Sequence, residues 1–144
     1  MKRFDYNSTG CYTERVIESA GKLVRAFKTA WFSKAARKAL IKDSELCSAI
    51  QKVMQGLADD LGGGVFKTRL NKNMHRSIIL AKGGKHWIFE YLFAKKDRDN
   101  IEEDALEAFR ALAKQYEKLS DDQLAQLLQN EDFMEICHGN KAQV

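Results

Sequence analysis

Lys67, Arg69, His75, Arg76, Lys95, Lys96 and Arg98 crowd the middle of a 144-residue chain. In the segment VFKTRL (65–70), a period of two puts Lys67 and Arg69 on one face and Phe66 and Leu70 on the other. His75-Arg76 opens the next apolar segment, and Lys95, Lys96 and Arg98 close the one after it. Strands paired in a meander bring such positions together although they are distant in sequence. Arginine offers a planar fork to a phosphate and lysine a point charge. Histidine titrates near neutrality and is suited to general acid or base work. The set fits a phosphodiester. The plainer alternatives are a solvated strand face for Lys67 and Arg69 and a surface turn for His75.

Other reactive residues point less clearly. Glu90 is the lone carboxylate in an aromatic strand and needs a partner if buried, whether in a salt bridge or as a group that orients a cation or moves a proton. His86, beside Trp87, reads as structural or exposed. Cys137-His138 resembles half a metal site, but no partner cysteines accompany it, so no metal or other cofactor is expected.

The elements that must position these residues follow from pattern. Val24 to Phe32 alternates as a strand, and Ser33 is placed to cap a helix over KAARKALI. Asp43 or Ser44 opens a second helix with Leu46, Ile50, Val53, Met54 and Leu57 on one face. Gly62-Gly63-Gly64 lacks the Lys-Ser/Thr of a phosphate loop and reads as a connector. Strands are expected at Val65–Leu70, Arg76–Lys82 and His86–Lys95, with Gly83-Gly84 at hairpin spacing. In the last strand Trp87, Phe89, Tyr91 and Phe93 share one face, and an aromatic stripe of that kind is more often core than ligand box. Asn100 with Glu103 and Ser120 with Gln123 have capping-box spacing before two further helices. The tail FMEIC (133–137) reads as a docking segment. The expected fold is α+β: a small antiparallel sheet, with a mixed edge, of about four strands. Two N-terminal helices lie on one face, C-terminal helices follow, and the Lys67/Arg69 face stays open. Residues 1–22 read as an N-terminal extension with a short helix over Thr13 to Leu23, residues 23–137 as the domain and 138–144 as a tail.

Composition narrows the class. The chain is 44% hydrophobic and 31% charged, has no proline, and carries a net +4. That excludes global disorder. No apolar run approaches the roughly 18–20 residues of a membrane span, and three scattered cysteines do not make a disulfide scaffold. The expectation is a soluble cytoplasmic protein. The net charge hides a polarity: residues 62–98 hold 9 Lys/Arg against 2 Asp/Glu, whereas residues 99–144 hold 4 against 11. Such asymmetry points to a polyanion-binding surface, or to solvated faces that happen to cluster.

The stretches LADDLGGGVFKTRL, HRSIILAKGG and HWIFEYLFAKKDRDNI, in this order and spacing, resemble the RelE/ParE superfamily of toxin–antitoxin toxins, in its HigB/RelE-like branch. The resemblance covers about Val24 to Ile136. It implies a RelE-like fold and an endoribonuclease, a hydrolase in broad terms, that acts on mRNA in the ribosome and inhibits translation without a metal. A cognate antitoxin is the implied partner. By matched position Arg69 and Arg76 would stabilise the phosphate. Lys67, Lys95 and Arg98 would bind backbone or assist proton transfer, Lys96 would be peripheral, and Tyr91 or Phe93 would support a stacked base. The chain departs from the family pattern in the short Asn71–Met74 loop and in a long helix where RelE uses a C-terminal tyrosine. The acid and base are therefore not carried over; His75, Lys67 and Glu90 are the candidates. The competing functions are a ParE-like inhibitor that binds DNA gyrase and a basic RNA-binding module without cleavage.

Overall fold

The computed structural model describes residues 18–19, 22–98 and 100–137. Two-residue strands β1 (Glu18–Ser19) and β2 (Lys22–Leu23) pair antiparallel, where a helix is expected from the sequence. The rest of that expected helix, most of the N-terminal extension, and His138 with the tail lie outside the described residues.

The main elements are β3 (Arg25–Thr29), α1 (Ala30–Lys38), α2 (Asp43–Met54), β4 (Asp59–Gly62), β5 (Val65–Leu70), β6 (His75–Lys82), β7 (His86–Ala94), α3 (Glu103–Glu117), α4 (Asp121–Gln129) and β8 (Phe133–Ile136). The fold is α+β. Its six-stranded sheet has the order β4-β5-β6-β7-β3-β8, antiparallel except for the parallel β3–β7 pair. The two strands beyond the expected four are short edges. Asp59–Gly62 is hidden in sequence by its acidic and glycine content, and Phe133–Ile136 by its length.

Several boundaries move for local reasons. Thr29, not Ser33, caps α1: its hydroxyl accepts from the Phe32 amide at 3.0 Å, a contact worth ~1 kcal/mol. Ser33 is buried inside the helix instead. The Ser120–Gln123 capping box forms on α4, with both reciprocal bonds in place. The Asn100–Glu103 box does not, because α3 starts after Glu102 and the Asn100 carbonyl oxygen is taken by Lys67.

Gly62, Gly63 and Gly64 are not a connector between distant elements but the turn of the β4–β5 hairpin, all at positive φ. A Cβ on Gly63 would come within 2.8 Å of the Arg110 side chain. That close approach lets Arg110 of α3 donate to the carbonyls of Leu61 and Gly62.

Helices cover both faces of the sheet. Phe32, Ala36, Leu46, Ala49, Ile50 and Val53 of α1 and α2 pack with Leu70, Ile79, Trp87 and Phe89. On the other face Ala113 and the inner side of α3 pack with Val65, Ile78, Leu80 and Phe93. A third cluster joins Leu124 of α4 to Phe27, Ile88 and Phe133. The Lys67/Arg69 face is therefore open only beyond the end of α3.

The aromatic stripe of β7 is also split. Ile78 pairs with Tyr91 but Ile79 with Phe89, so Glu90 is an extra residue in the ladder. A bulge reverses the alternation on either side of it. Trp87 and Phe89 thus enter the α1/α2 core, whereas Tyr91 and Phe93 face α3.

Cys47 of α2 and Cys137 after β8, 90 residues apart, are joined as a disulfide with Cα atoms 5.5 Å apart. This corrects the reading of the cysteines as isolated: the β8 edge strand, unseen in sequence, brings Cys137 back against α2. No described helix is long and apolar enough to cross a membrane.

Candidate functional site

Strand register assembles the cationic site. Arg69 lies directly opposite Arg76, and Arg76 directly opposite Phe93, so the three form a row across β5, β6 and β7. The next row on the same face is Asp59, Lys67, Ile78 and Tyr91. Residues directly opposite have Cβ atoms ~4.5–5.5 Å apart, and like charges so placed repel. Two arginines facing each other therefore cost the fold stability unless an anion comes between them.

Among the described residues, neither Arg69 nor Arg76 forms an ion pair. Arg69 is exposed, while Arg76 is 9% exposed and donates through Nη1 to the carbonyls of Asn73 at 3.1 Å and His75 at 3.2 Å. Asn71, Lys72 and Asn73 all have positive φ (55, 55 and 71°), a left-handed run that turns the chain sharply into β6. Asparagine tolerates that region better than most residues, and the Asn71 amide donates to the Glu45 carboxylate of α2. The loop's backbone thus orients the Arg76 guanidinium without neutralising it.

Lys67 is held differently. Its Nζ donates to Asn100 Oδ1 at 2.7 Å and lies 3.8 Å from Asp59 Oδ2. Asp59, Lys67, Arg69, Arg76 and Asn100 line one cleft of about 210 Å³. Asp59 and Asn100 are residues that sequence reasoning missed, since the β4 strand that places Asp59 is not legible as one. Among the described residues no group of three or more His, Cys, Asp or Glu is arranged to hold a metal ion.

The remaining candidates separate. His75 pairs with Leu70 and Ala94, so alternation turns it to the face opposite Arg76, where Asn71 Nδ2 meets its Nδ1 at 3.1 Å. It is not grouped with Lys67 and Arg69. Lys95 lies just past the end of β7; its amide still donates to the Met74 carbonyl, and it follows Phe93 by two residues. Lys95, Lys96 and Arg98 are all exposed in the turn that follows. Phe93 is buried at 6% exposure, and Tyr91 packs against Phe93, Phe109 and Trp31. Both aromatics are therefore largely covered rather than free platforms.

Glu90, carried by the bulge, accepts from the Tyr116 hydroxyl of α3 at 2.7 Å and forms no ion pair among the described residues. Burial pushes its carboxyl above the usual range, against the opposing pull of that hydrogen bond. Tyr116 is raised as well, by burial first and then by the Glu90 charge. The pair is half-buried, and neither residue lines the cleft of the arginines.

The cleft thus offers an anion two guanidinium groups that form no ion pair among the described residues, with Lys67 beside them and Asp59 in the same lining. A family model described as the RelE toxin of the RelE/RelB toxin–antitoxin system matches residues 24–136. No curated protein and no solved structure gives a significant match.

Proposed function

The chain belongs to the RelE toxin family, and from that premise we propose that it is a type II toxin that cleaves mRNA on the ribosome without a metal ion. Residues 23–137 form the toxin domain, and family membership implies an antitoxin as partner. The observation that carries the reading is the opposition of Arg69 and Arg76 with no carboxylate paired to either among the described residues.

In the proposed reaction the message's 2′-oxygen attacks the adjacent phosphorus while the bond from phosphorus to the 5′-oxygen breaks. The products are a 2′,3′-cyclic phosphate and a 5′-hydroxyl end. Charge builds on the non-bridging oxygens, where Arg69 and Arg76 supply preorganised donors. Lys67, which lines the same cleft, is assigned to the message's backbone or to assisting transfer of the proton leaving the 2′-hydroxyl. Lys95, continuing the Phe93 side beyond the strand, is assigned to the departing 5′-oxygen or to the backbone. Lys96 and Arg98 add exposed positive charge at the rim.

Purified protein added to programmed ribosomes in the presence of a chelator should yield message fragments with cyclic phosphate and 5′-hydroxyl ends. Intact messages by primer extension, in cells whose growth nevertheless stops, would sink the nuclease reading. Stalled gyrase on supercoiled DNA would then favour a ParE-like inhibitor, and ribosome binding without cleavage a plain RNA-binding module.

A further inference from the structure

We propose that the groove between α1 and the end of β7 is a nucleotide subsite, in which the Trp31 indole stacks a base of single-stranded RNA and Lys34 and Lys38 hold flanking phosphates. The subsite deepens the nuclease reading and rests on it for its biological substrate, but its binding chemistry is separately measurable.

Trp31 is 52% exposed, an unusual setting for so large an apolar ring, yet it is not loose. It stacks on Tyr91 with ring centroids 5.1 Å apart and planes at 21°. Tyr91 in turn stacks on Phe93 at 6.0 Å and 30°. The stack begins in the core at Phe93 and ends in solvent at Trp31. A base is a flat π-system, and adding one to the open end of a fixed aromatic stack costs little ordering of the protein. Tyr91 and Phe93 have no such open face, so the stacking role passes to Trp31.

The flanking charge selects the ligand. Trp31, Lys34, Ala35 and Lys38 fall at helical spacing on one side of α1. They line a cavity of about 580 Å³ together with Tyr91 and Arg98. Lys34, Lys38 and Arg98 are exposed, and His75 also lines the cavity; Asp97 is its one acidic lining residue among those described. The groove is apolar along Ala35, Ala39, Leu92 and Ala94 and cationic at its rim. An apolar partner helix would leave the rim cations unmatched, whereas a nucleotide chain, with flat bases and anionic phosphates, matches both features. Phe93 also connects the two places: it lines this groove and stands opposite Arg76. A strand of RNA running from the arginine cleft can therefore pass over the edge of β7 into the groove.

The two tryptophans give a direct readout, because Trp87 is only 7% exposed. Titrating the whole protein with an oligoadenylate should quench tryptophan emission saturably. Trp31→Leu should abolish the quenching and weaken binding, followed by anisotropy of a labelled oligoadenylate, by roughly tenfold or more. Trp31→Phe, which keeps a ring, should retain most of the affinity, and the Lys34→Gln/Lys38→Gln double variant should bind less tightly with a shallower salt dependence. On programmed ribosomes Trp31→Leu should raise KM more than it lowers kcat. Quenching that survives in Trp31→Leu, or anisotropy binding equal to that of the parent, overturns the subsite. So does a parent protein whose Trp31 responds to the antitoxin but not to oligoadenylate. A parent that binds oligoadenylate through Trp31 but never cleaves a message leaves the subsite standing and removes the nuclease.

Discussion

Arg25 and the Arg69–Arg76 pair are strand-borne arginines of one sheet put to opposite uses. Arg25 on β3 makes a two-pronged contact with Glu135 of β8, Nε to Oε2 at 2.8 Å and Nη2 to Oε1 at 2.7 Å. That hydrogen bond is the main reason its guanidinium is raised above its ordinary value. Its charge is spent on holding an edge strand in register. Arg69 and Arg76 have each other across the strand pair and no carboxylate among the described residues. One arginine fastens the fold, while the other two, opposed across the ladder, are assigned by the proposed reaction to an anion. On that proposal the same residue type is structural or functional according to what stands opposite in the ladder.

Two substitutions test that contrast. Arg69→Ala should have the largest effect, a loss of message cleavage of at least about 100-fold, in the range seen when a donor to a transition-state anion is removed. Its thermal midpoint should be unchanged or higher, since a cross-strand repulsion is relieved. A fully active Arg69→Ala would place the phosphate elsewhere. Glu135→Gln should do the reverse: cleavage as in the parent, with stability to denaturant lower by about 1–2 kcal/mol as the charge-assisted pair is lost. An inactive but equally stable Glu135→Gln would erase the distinction.

The smallest effect concerns Glu90, the acid that has a hydroxyl but, among the described residues, no cation. Its carboxyl is raised in the fold, so the folded protein binds its proton more tightly than the unfolded chain does. The associated stability is present below the unfolded value and is lost as pH rises through the folded one. Glu90→Gln keeps an acceptor for Tyr116 and removes the ionisation. Melting scans across pH should show the variant more stable near neutrality and matched to the parent near pH ~4, just below the ordinary glutamate value. A gain that is equal at both ends of the range would mean that the ionisation of Glu90 is not its source.

Much of this organisation is legible in the sequence, and the misses have physical causes. The meander of β5, β6 and β7 is readable because VFKTRL, HRSIILAK and HWIFEYLFA carry β-branched and aromatic residues between turn residues. Alternation alone puts Lys67 and Arg69 on one face, whereas the place of Arg76 opposite Arg69 depends on the β5–β6 register. His75 is misplaced when it is read with Arg76 as one dipeptide, since adjacent strand residues point apart. The β7 bulge defeats the aromatic stripe, because a period of two carries no warning of an inserted residue. Asp59 is invisible as a strand residue, and Glu90's partner lies on a helix 26 residues away. Trp31 is hidden in a different way: reading Val24 to Phe32 as one strand conceals that Trp31, Lys34 and Lys38 share one side of α1.

The position of β3 has a consequence for how the molecule comes into being. The cationic meander joins neighbours in sequence, so it can form as soon as residues 65–94 exist. β3 is made earlier but must wait, because its parallel partner begins at His86 and its other edge is covered only by Phe133–Ile136. Contacts of such long sequence separation form slowly. A growing chain thus carries an early strand with a bare edge until Phe133–Ile136 have been added. A nascent copy cut short before Phe133 would possess the cationic rows yet leave that edge open to any other extended segment it meets.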